Sequence, residues 1–224
     1  MSDIRPAATA VIVRDGTEGL EVLLMQRVNP KPDVQGVWVF PGGVFEPQDE
    51  EGGGSEELIA KRAAKRETEE ESQLVIDVDA LQPLSHWTTP PTEVRRWATW
   101  FFITDKFDGE LKADGEEMQR AEWFTPKEAL AKHGRQAMNL IPPTVVTLTE
   151  LLACEDFTQA QAFYAAREVP FIEPHMAKQG VEQGVFCMTY KGDAAYENLD
   201  ASTPGARNRC YLEKGAWRYE YIEA

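Results

Sequence analysis

Arg66-Glu67-Thr68-Glu69-Glu70-Glu71 closes a stretch, residues 55–71, whose pattern predicts an α-helix. Ser55 suits an N-cap, and Glu56 and Glu57 favour the positive end of the helix dipole. Leu58, Ile59, Ala63 and Ala64 supply an apolar stripe, while Lys61, Arg62 and Lys65 are expected to face water. Glu67, Glu70 and Glu71 stand at i, i+3 and i+4, so their carboxylates project from one side of the helix. Like charges so spaced repel by roughly a few tenths of a kcal/mol per pair. A helix that accepts this cost either solvates a face or holds a multivalent cation. Two details favour the cation. Anions near a helix C-terminus need compensation, and the Arg66 guanidinium can pin a neighbouring carboxylate. Oxygen ligands of this kind predict Mg²⁺ or Mn²⁺ rather than Zn²⁺. Upstream, Phe40-Pro41-Gly42-Gly43 ends an apolar run and would bring bare backbone close to the same helix. A glycine turn beside a carboxylate helix points to a metal site for a phosphate substrate.

Outward from this helix the pattern alternates strands and turns. Residues 7–14 and 20–27 read as a hairpin around Asp15-Gly16-Thr17-Glu18-Gly19, and residues 37–40 as a third short strand. Residues 29–33 and 44–54 are expected to be loops, the second ending in Gly52-Gly53-Gly54. Further strands are expected at 74–78, 96–104 and 121–124, with a turn at Pro83 and an exposed loop at 105–118. Pro126 after Thr125, and Pro142-Pro143, mark the starts of two helices; residues 157–167 form a third. Beyond Pro174 the segments 185–190, 209–213 and 217–222 alternate like strands, with Lys214-Gly215 as a hairpin turn. This tail reads as a β-rich appendage, residues 176–224, packed on a main domain of residues 1–175 and adding to its sheet or to a partner subunit.

The bulk properties are those of a soluble globular chain: 224 residues, 42% hydrophobic and 27% charged. A net charge of −15 excludes a broad basic field, so nucleic acid and anionic membrane are not expected partners. A small phosphorylated ligand remains compatible, because a bound cation inverts the local field. Cys154, Cys187 and Cys210 form no C-x-x-C pair or disulfide framework, which suits a reducing cytoplasm. The first ten residues lack a signal-peptide pattern, the last four carry no address signal, and no stretch approaches the roughly 20 apolar residues of a membrane span. His86, His133 and His175 are isolated from any nucleophile, and Trp87 and Trp97 read as core residues before base-stacking ones.

Phe40-Pro41-Gly42-Gly43 followed by Arg66-Glu67-Thr68-Glu69-Glu70-Glu71-Ser72-Gln73-Leu74 resembles the Nudix box, G-x5-E-x7-R-E-U-x-E-E-x-G-U with U aliphatic. The R-E-x-x-E-E core is complete. The interval from Gly43 to Arg66 is longer than the pattern, its lone glutamate falls near Asp49 or Glu50, and its last glycine is replaced by Gln73. Gln73 therefore has to take a left-handed cap or end the helix differently. The resemblance implies an α/β/α sandwich around a mixed sheet and metal-dependent hydrolysis of a nucleoside diphosphate linked to another moiety. It assigns Glu67, Glu70 and Glu71, with the backbone carbonyl at Gly42 or Gly43, to the metal, and Arg66 to orienting them. An acid outside the box completes such sites as a further ligand or base; Asp114, Glu116 and Glu117 lie in the corresponding loop, with Glu117 favoured. Arg27, Arg95 and Arg96 are candidate phosphate contacts. Leu23-Leu24-Met25-Gln26-Arg27, residues 84–90, Glu122-Trp123-Phe124-Thr125-Pro126 and Leu140-Ile141-Pro142-Pro143-Thr144 further resemble the coenzyme A diphosphatase-like branch, with Val34-Gln35-Gly36 matching part of its signature. The expected substrate is then CoA or acyl-CoA. An ADP-ribose or dinucleotide pyrophosphatase, or a silent Nudix fold serving as a binding module, are the alternatives. A homodimer is compatible with such a fold.

Overall fold

Strand β1 (Ile4–Gly16) joins the two halves of the main sheet. In chain order it is followed by β2 (Gly19–Arg27), β3 (Val37–Val39), β4 (Gly42–Val44), α1 (Glu56–Ser72), β5 (Val75–Ile76), β6 (Gln82–Thr88), β7 (Arg96–Thr104), β8 (Phe107–Asp108) and β9 (Met118–Phe124). Then come α2 (Pro126–Gly134), β10 (Asn139–Leu140), α3 (Pro142–Leu151), α4 (Phe157–Ala165), β11 (Phe171–Ile172), β12 (His175–Met176), β13 (Phe186–Thr189), β14 (Arg207–Glu213) and β15 (Ala216–Ile222). This computed structural model describes residues 4–31 and 35–223. The expected loop at 29–33 and the Val34-Gln35-Gly36 stretch fall partly outside the described residues.

The first nine residues of β1 run parallel to β7, with Ile4 opposite Arg96 and Ile12 opposite Thr104. On its other edge Ala8 lies opposite Gly43 of β4, and its last four residues form the hairpin with β2. The described residues of the main sheet run β10-β3-β2-β1-β7-β6-β11, with β4 and β9 as additional partners of β1 and β2. The parallel pairs β1–β7, β10–β3 and β11–β6, set among antiparallel ones, make the sheet mixed. Both faces of β1 are apolar, and each is covered. Ala8, Ala10 and Ile12 meet Ala60, Ala63 and Ala64 of α1, whereas Val11 and Val13 share a core with Val145, Leu148 and Ala160 of α3 and α4. The result is the α/β/α sandwich. The α1 alanines are fully buried, and their small side chains let the helix axis lie close to β1 and hold its far end over β4.

Several elements differ from the sequence expectation. The buried stripe of α1 is Ala60, Ala63, Ala64, Thr68, Glu71 and Ser72, with Leu58 and Ile59 only half-buried. Arg62 does not simply face water: its guanidinium donates to the carbonyls of Asp49, Glu51 and Gly53, and so fastens the long loop before α1. That loop contains β4 and a 3-10 turn at Pro47–Glu50, both too short to leave a periodic signal. The strand expected at 74–78 shrinks to β5, paired with β8 inside what reads as a polar loop. Pro83 lies within β6, at the bulge where pairing with β7 shifts register, a position that tolerates its missing N–H. The tail does not extend the main sheet. Strands β12-β13-β14-β15 form their own antiparallel sheet, closed at Lys214-Gly215 by two residues of positive φ. It rests on the helical layer: Tyr190 and Cys210 belong to the same core as Val145 and Leu148, and the Trp217 amide donates to His133 Nε2 at 2.8 Å. Trp87 is buried edge-on to Tyr190 in that core, as expected of a packing residue.

Candidate active site

The three glutamates occupy three different environments, although the sequence places them on one side of α1. Consecutive helical residues turn by about 100°, so Glu71 lies roughly 40° from Glu67 towards the sheet and Glu70 roughly 60° away from it. Glu71 is only 3% exposed, Glu67 is half-buried, and the Glu70 side chain is 56% exposed. Ser55 caps the helix N-terminus through Leu58 N–H, as expected. At the other end Gln73 adopts φ 61°, ψ 10°, the left-handed conformation its position in the box demands. The terminal carbonyls there are satisfied: Gln73 N–H donates to Glu69, Lys112 N–H to Ser72 and Asp114 N–H to Glu71. These last two bonds bring the 111–117 loop to the helix end.

The glycine turn meets the carboxylates. Gly42, at φ 156°, has its backbone against Ala8 and Thr9 of β1, where a Cβ would clash. Its N–H donates to Glu71 Oε2 at 2.9 Å. At Gly43 a Cβ would run into the Glu67 carboxylate. The paired glycines thus let bare backbone and two acids share one place.

Arg66 organises the rest. It is 12% exposed and donates to both Asp49 oxygens at 3.0 and 3.1 Å, to Val44 O at 3.0 Å, to Glu67 Oε1 at 2.9 Å and to Glu70 Oε2 at 3.0 Å. Burial alone would lower its pKa, but the hydrogen bonds it donates to Asp49 and Glu67 outweigh that and keep it firmly protonated. The choice between Asp49 and Glu50, open in the sequence, falls on Asp49. It is buried, whereas Glu50 is exposed, and it also accepts the Glu46 N–H at 2.8 Å.

Electrostatically the site is overloaded with acid. Burial pushes Glu71 up to about 8, opposed by the Gly42 N–H and the charge of Arg27 and reinforced by Glu67 and Glu117. Burial also raises Glu67, against the pull of Arg66. Glu71 Oε1 is buried and has no hydrogen-bond partner. Among the described residues no three acidic, imidazole or thiol groups are preassembled around a point suited to a metal ion. Arg66 instead draws Glu67 and Glu70 onto itself. The donor set nevertheless fits a hard divalent cation: a buried carboxylate oxygen without a donor, a second carboxylate against the Gly43 backbone, and oxygen ligands only.

A sequence model of the NUDIX domain matches residues 3–143, more than half of the chain. The chain belongs to the Nudix family. It is accordingly a Nudix pyrophosphohydrolase, and residues 144–224 lie beyond the matched span. None of the curated proteins matches it. Among solved structures it is similar to a NUDIX hydrolase from Alicyclobacillus acidocaldarius, with 25% identity, a TM-score of 0.64, and coverage of 72% of this chain and 97% of that one. The MutT NUDIX hydrolase from Burkholderia pseudomallei shares the fold at 21% identity and a TM-score of 0.50, covering 66% of this chain and 97% of that one. So does the NUDIX domain of Shewanella oneidensis NrtR, crystallised with ADP ribose, at 15% identity and a TM-score of 0.51, covering 73% and 90%.

The other candidate residues of this Nudix protein fall in two groups. Glu117 and Arg27 join the glutamates: Arg27 Nη2 lies 3.7 Å from Glu71 Oε1, and Arg27 Nη1 4.0 Å from Glu117 Oε2. Asp114 has another task, accepting the N–H groups of Glu116, Glu117 and Met118 and so shaping the turn that carries Glu117. Arg95 is exposed between β6 and β7. Arg96 donates to Thr89 O and pairs with Glu173 at 2.7 Å, tying that turn to the segment after β11. Two clefts of about 530 and 350 Å³ open elsewhere, one beside Asp105 and Phe157, the other between His133 and Trp217. Neither is lined by the glutamates. Asp49 and Arg62 are the working residues that sequence reasoning left undecided or misplaced. Only the box's lone acid hinted at the first, and nothing at the second.

Proposed function

We propose that this Nudix hydrolase cleaves the pyrophosphate linkage of CoA or an acyl-CoA with Mg²⁺ or Mn²⁺, giving 3′,5′-ADP and 4′-phosphopantetheine. The observation that carries the metal reading is Glu71 Oε1, a buried carboxylate oxygen without a donor, near the half-buried Glu67. Glu67, Glu70 and Glu71, with the Gly43 carbonyl, are the groups that would hold the cation. When bound there, a divalent ion neutralises the diphosphate and lowers the pKa of an attacking water. Arg66 keeps Glu67 and Glu70 oriented while Asp49 anchors it. Glu117, 67% exposed at the rim, would accept the proton that water gives up. Arg27, and Arg95 from its open turn, would meet substrate phosphates; Arg96 is engaged by Glu173. The choice of CoA draws on the stretches around Arg27, residues 84–90 and 122–126, and Leu140-Ile141-Pro142-Pro143-Thr144, which lie on strands and turns bordering the sheet.

Hydrolysis of CoA, acetyl-CoA, ADP-ribose, NADH and diadenosine polyphosphates, each with Mg²⁺ and with chelator, tests the reading. CoA or its thioester is expected to turn over fastest, and Glu70→Gln to lower the rate by about 100-fold or more. Turnover of none of them, or an unchanged Glu70→Gln enzyme, would falsify the metal mechanism. A preference for ADP-ribose would overturn only the choice of substrate.

A further inference from the structure

Arg27 is the last residue of β2, at the point where pairing with β9 shifts register between Gln26 and Arg27. Its neighbour Val28 donates its N–H to the Glu117 carbonyl at 2.7 Å, which ties the end of β2 to the Glu117 turn. The guanidinium sits between two acids from different elements, 3.7 Å from Glu71 Oε1 and 4.0 Å from Glu117 Oε2. Both distances exceed a hydrogen bond. This contrasts with Arg66, whose contacts to Asp49, Glu67 and Glu70 lie between 2.9 and 3.1 Å. The Arg27 side chain is also 47% exposed, while that of Arg66 is 12% exposed. Arg66 is therefore a fixed part of the site, and Arg27 a loose counter-charge. The oxygen it faces, Glu71 Oε1, is the one left without a donor.

We propose that Arg27 is an internal counter-cation of the metal-free site, displaced from Glu71 and Glu117 when a divalent ion binds and thereby released to the substrate phosphate. This rests on the metal reading above and adds an order to it: ion first, then substrate. The positive charge of Arg27 opposes metal binding twice, by stabilising the carboxylates beforehand and by repelling the ion afterwards. Removing it therefore tightens metal binding. An exposed ion pair shifts an equilibrium by roughly twofold to fivefold, and two such pairs give an effect on the order of fivefold.

The test is calorimetric titration of Mg²⁺ into the full chain, run for parent and variants at the same pH in two buffers of different ionisation enthalpy, so that any protons released on binding are counted. Arg27→Gln is expected to bind Mg²⁺ about fivefold more tightly than the parent, Arg27→Lys about as the parent does. The Arg27→Gln difference is expected to shrink as salt is raised, because exposed charges are screened. Equal affinities for the parent and Arg27→Gln, or weaker binding by the variant, overturn the inference and leave the metal reading standing. A parent that takes up no Mg²⁺ removes both.

Discussion

Asp49→Ala is expected to destabilise the protein by about 2–4 kcal/mol, although Asp49 touches no substrate in the proposed reaction. Breaking one partner out of a buried ion pair costs about 3–5 kcal/mol, since the other charge is left without compensation. Here the loss is smaller, because Arg66 keeps Val44 O, Glu67 and Glu70 as acceptors after both Asp49 oxygens are gone. The Glu46 N–H loses its acceptor as well. For a chain of this size such a loss lowers Tm by roughly 5–15 °C. Urea unfolding in chelator measures it, with an unchanged m-value showing that the native and unfolded states are otherwise comparable. Asp49→Asn keeps one acceptor and should fall in between. Glu50→Ala is the control: Glu50 is exposed, so its loss should stay within about 0.5 kcal/mol. Equal costs for Asp49→Ala and Glu50→Ala, or an Asp49→Ala cost below about 0.5 kcal/mol, would refute the placement of Asp49 beneath Arg66.

Gln73→Gly should stabilise the fold by about 0.5–1 kcal/mol, because an exposed left-handed residue carries a Cβ penalty that glycine lacks; a chemical denaturation midpoint no higher than the parent's would contradict this. The carboxyl of Glu71 has a folded pKa near 8, well above its unfolded value of about 4.5. Between those values the folded state holds more protons, so this group's contribution is full below about pH 4.5 and is lost as pH rises through 8. Metal-free protein should therefore lose a few kcal/mol across that window relative to Glu71→Gln, and saturating Mg²⁺ should abolish the difference. Parallel stability–pH curves for the two proteins in chelator would contradict the burial assigned to Glu71.

Local signals were readable wherever one residue type dictates a backbone. Ser55 caps α1, Pro126 opens α2, and Lys214-Gly215 makes the hairpin turn, each where the residues predict it. The long strand at 96–104 and the β1–β2 hairpin were equally clear from their β-branched and apolar runs. Where the outcome depended on partners distant in sequence, the reading drifted. Strand β4 exists because Ala7, Ala8 and Thr9 of β1 lie beside it, and β5 because β8 does. Pro83 read as a turn but is carried by a bulge that only the β7 pairing defines. The tail strands were visible one by one, but their assembly into a separate sheet over α2 and α3 was not.

The carboxylate helix shows the same division at the scale of the site. Its existence, its three glutamates and the glycine turn before it followed from spacing, because helical periodicity and glycine's lack of a Cβ are properties of the chain alone. Which glutamate would be buried did not follow, since that depends on the angle at which α1 lies on β1, set by three alanines meeting Ala8 and Ala10. Tertiary packing alone turned one face of like charges into a buried Glu71, a half-buried Glu67 and an exposed Glu70. It also selected Asp49 over Glu50 and set Arg27 opposite the unpartnered oxygen. Burial and long-range charge pairing depend on distances across the folded chain, and periodicity along the sequence carries no record of them.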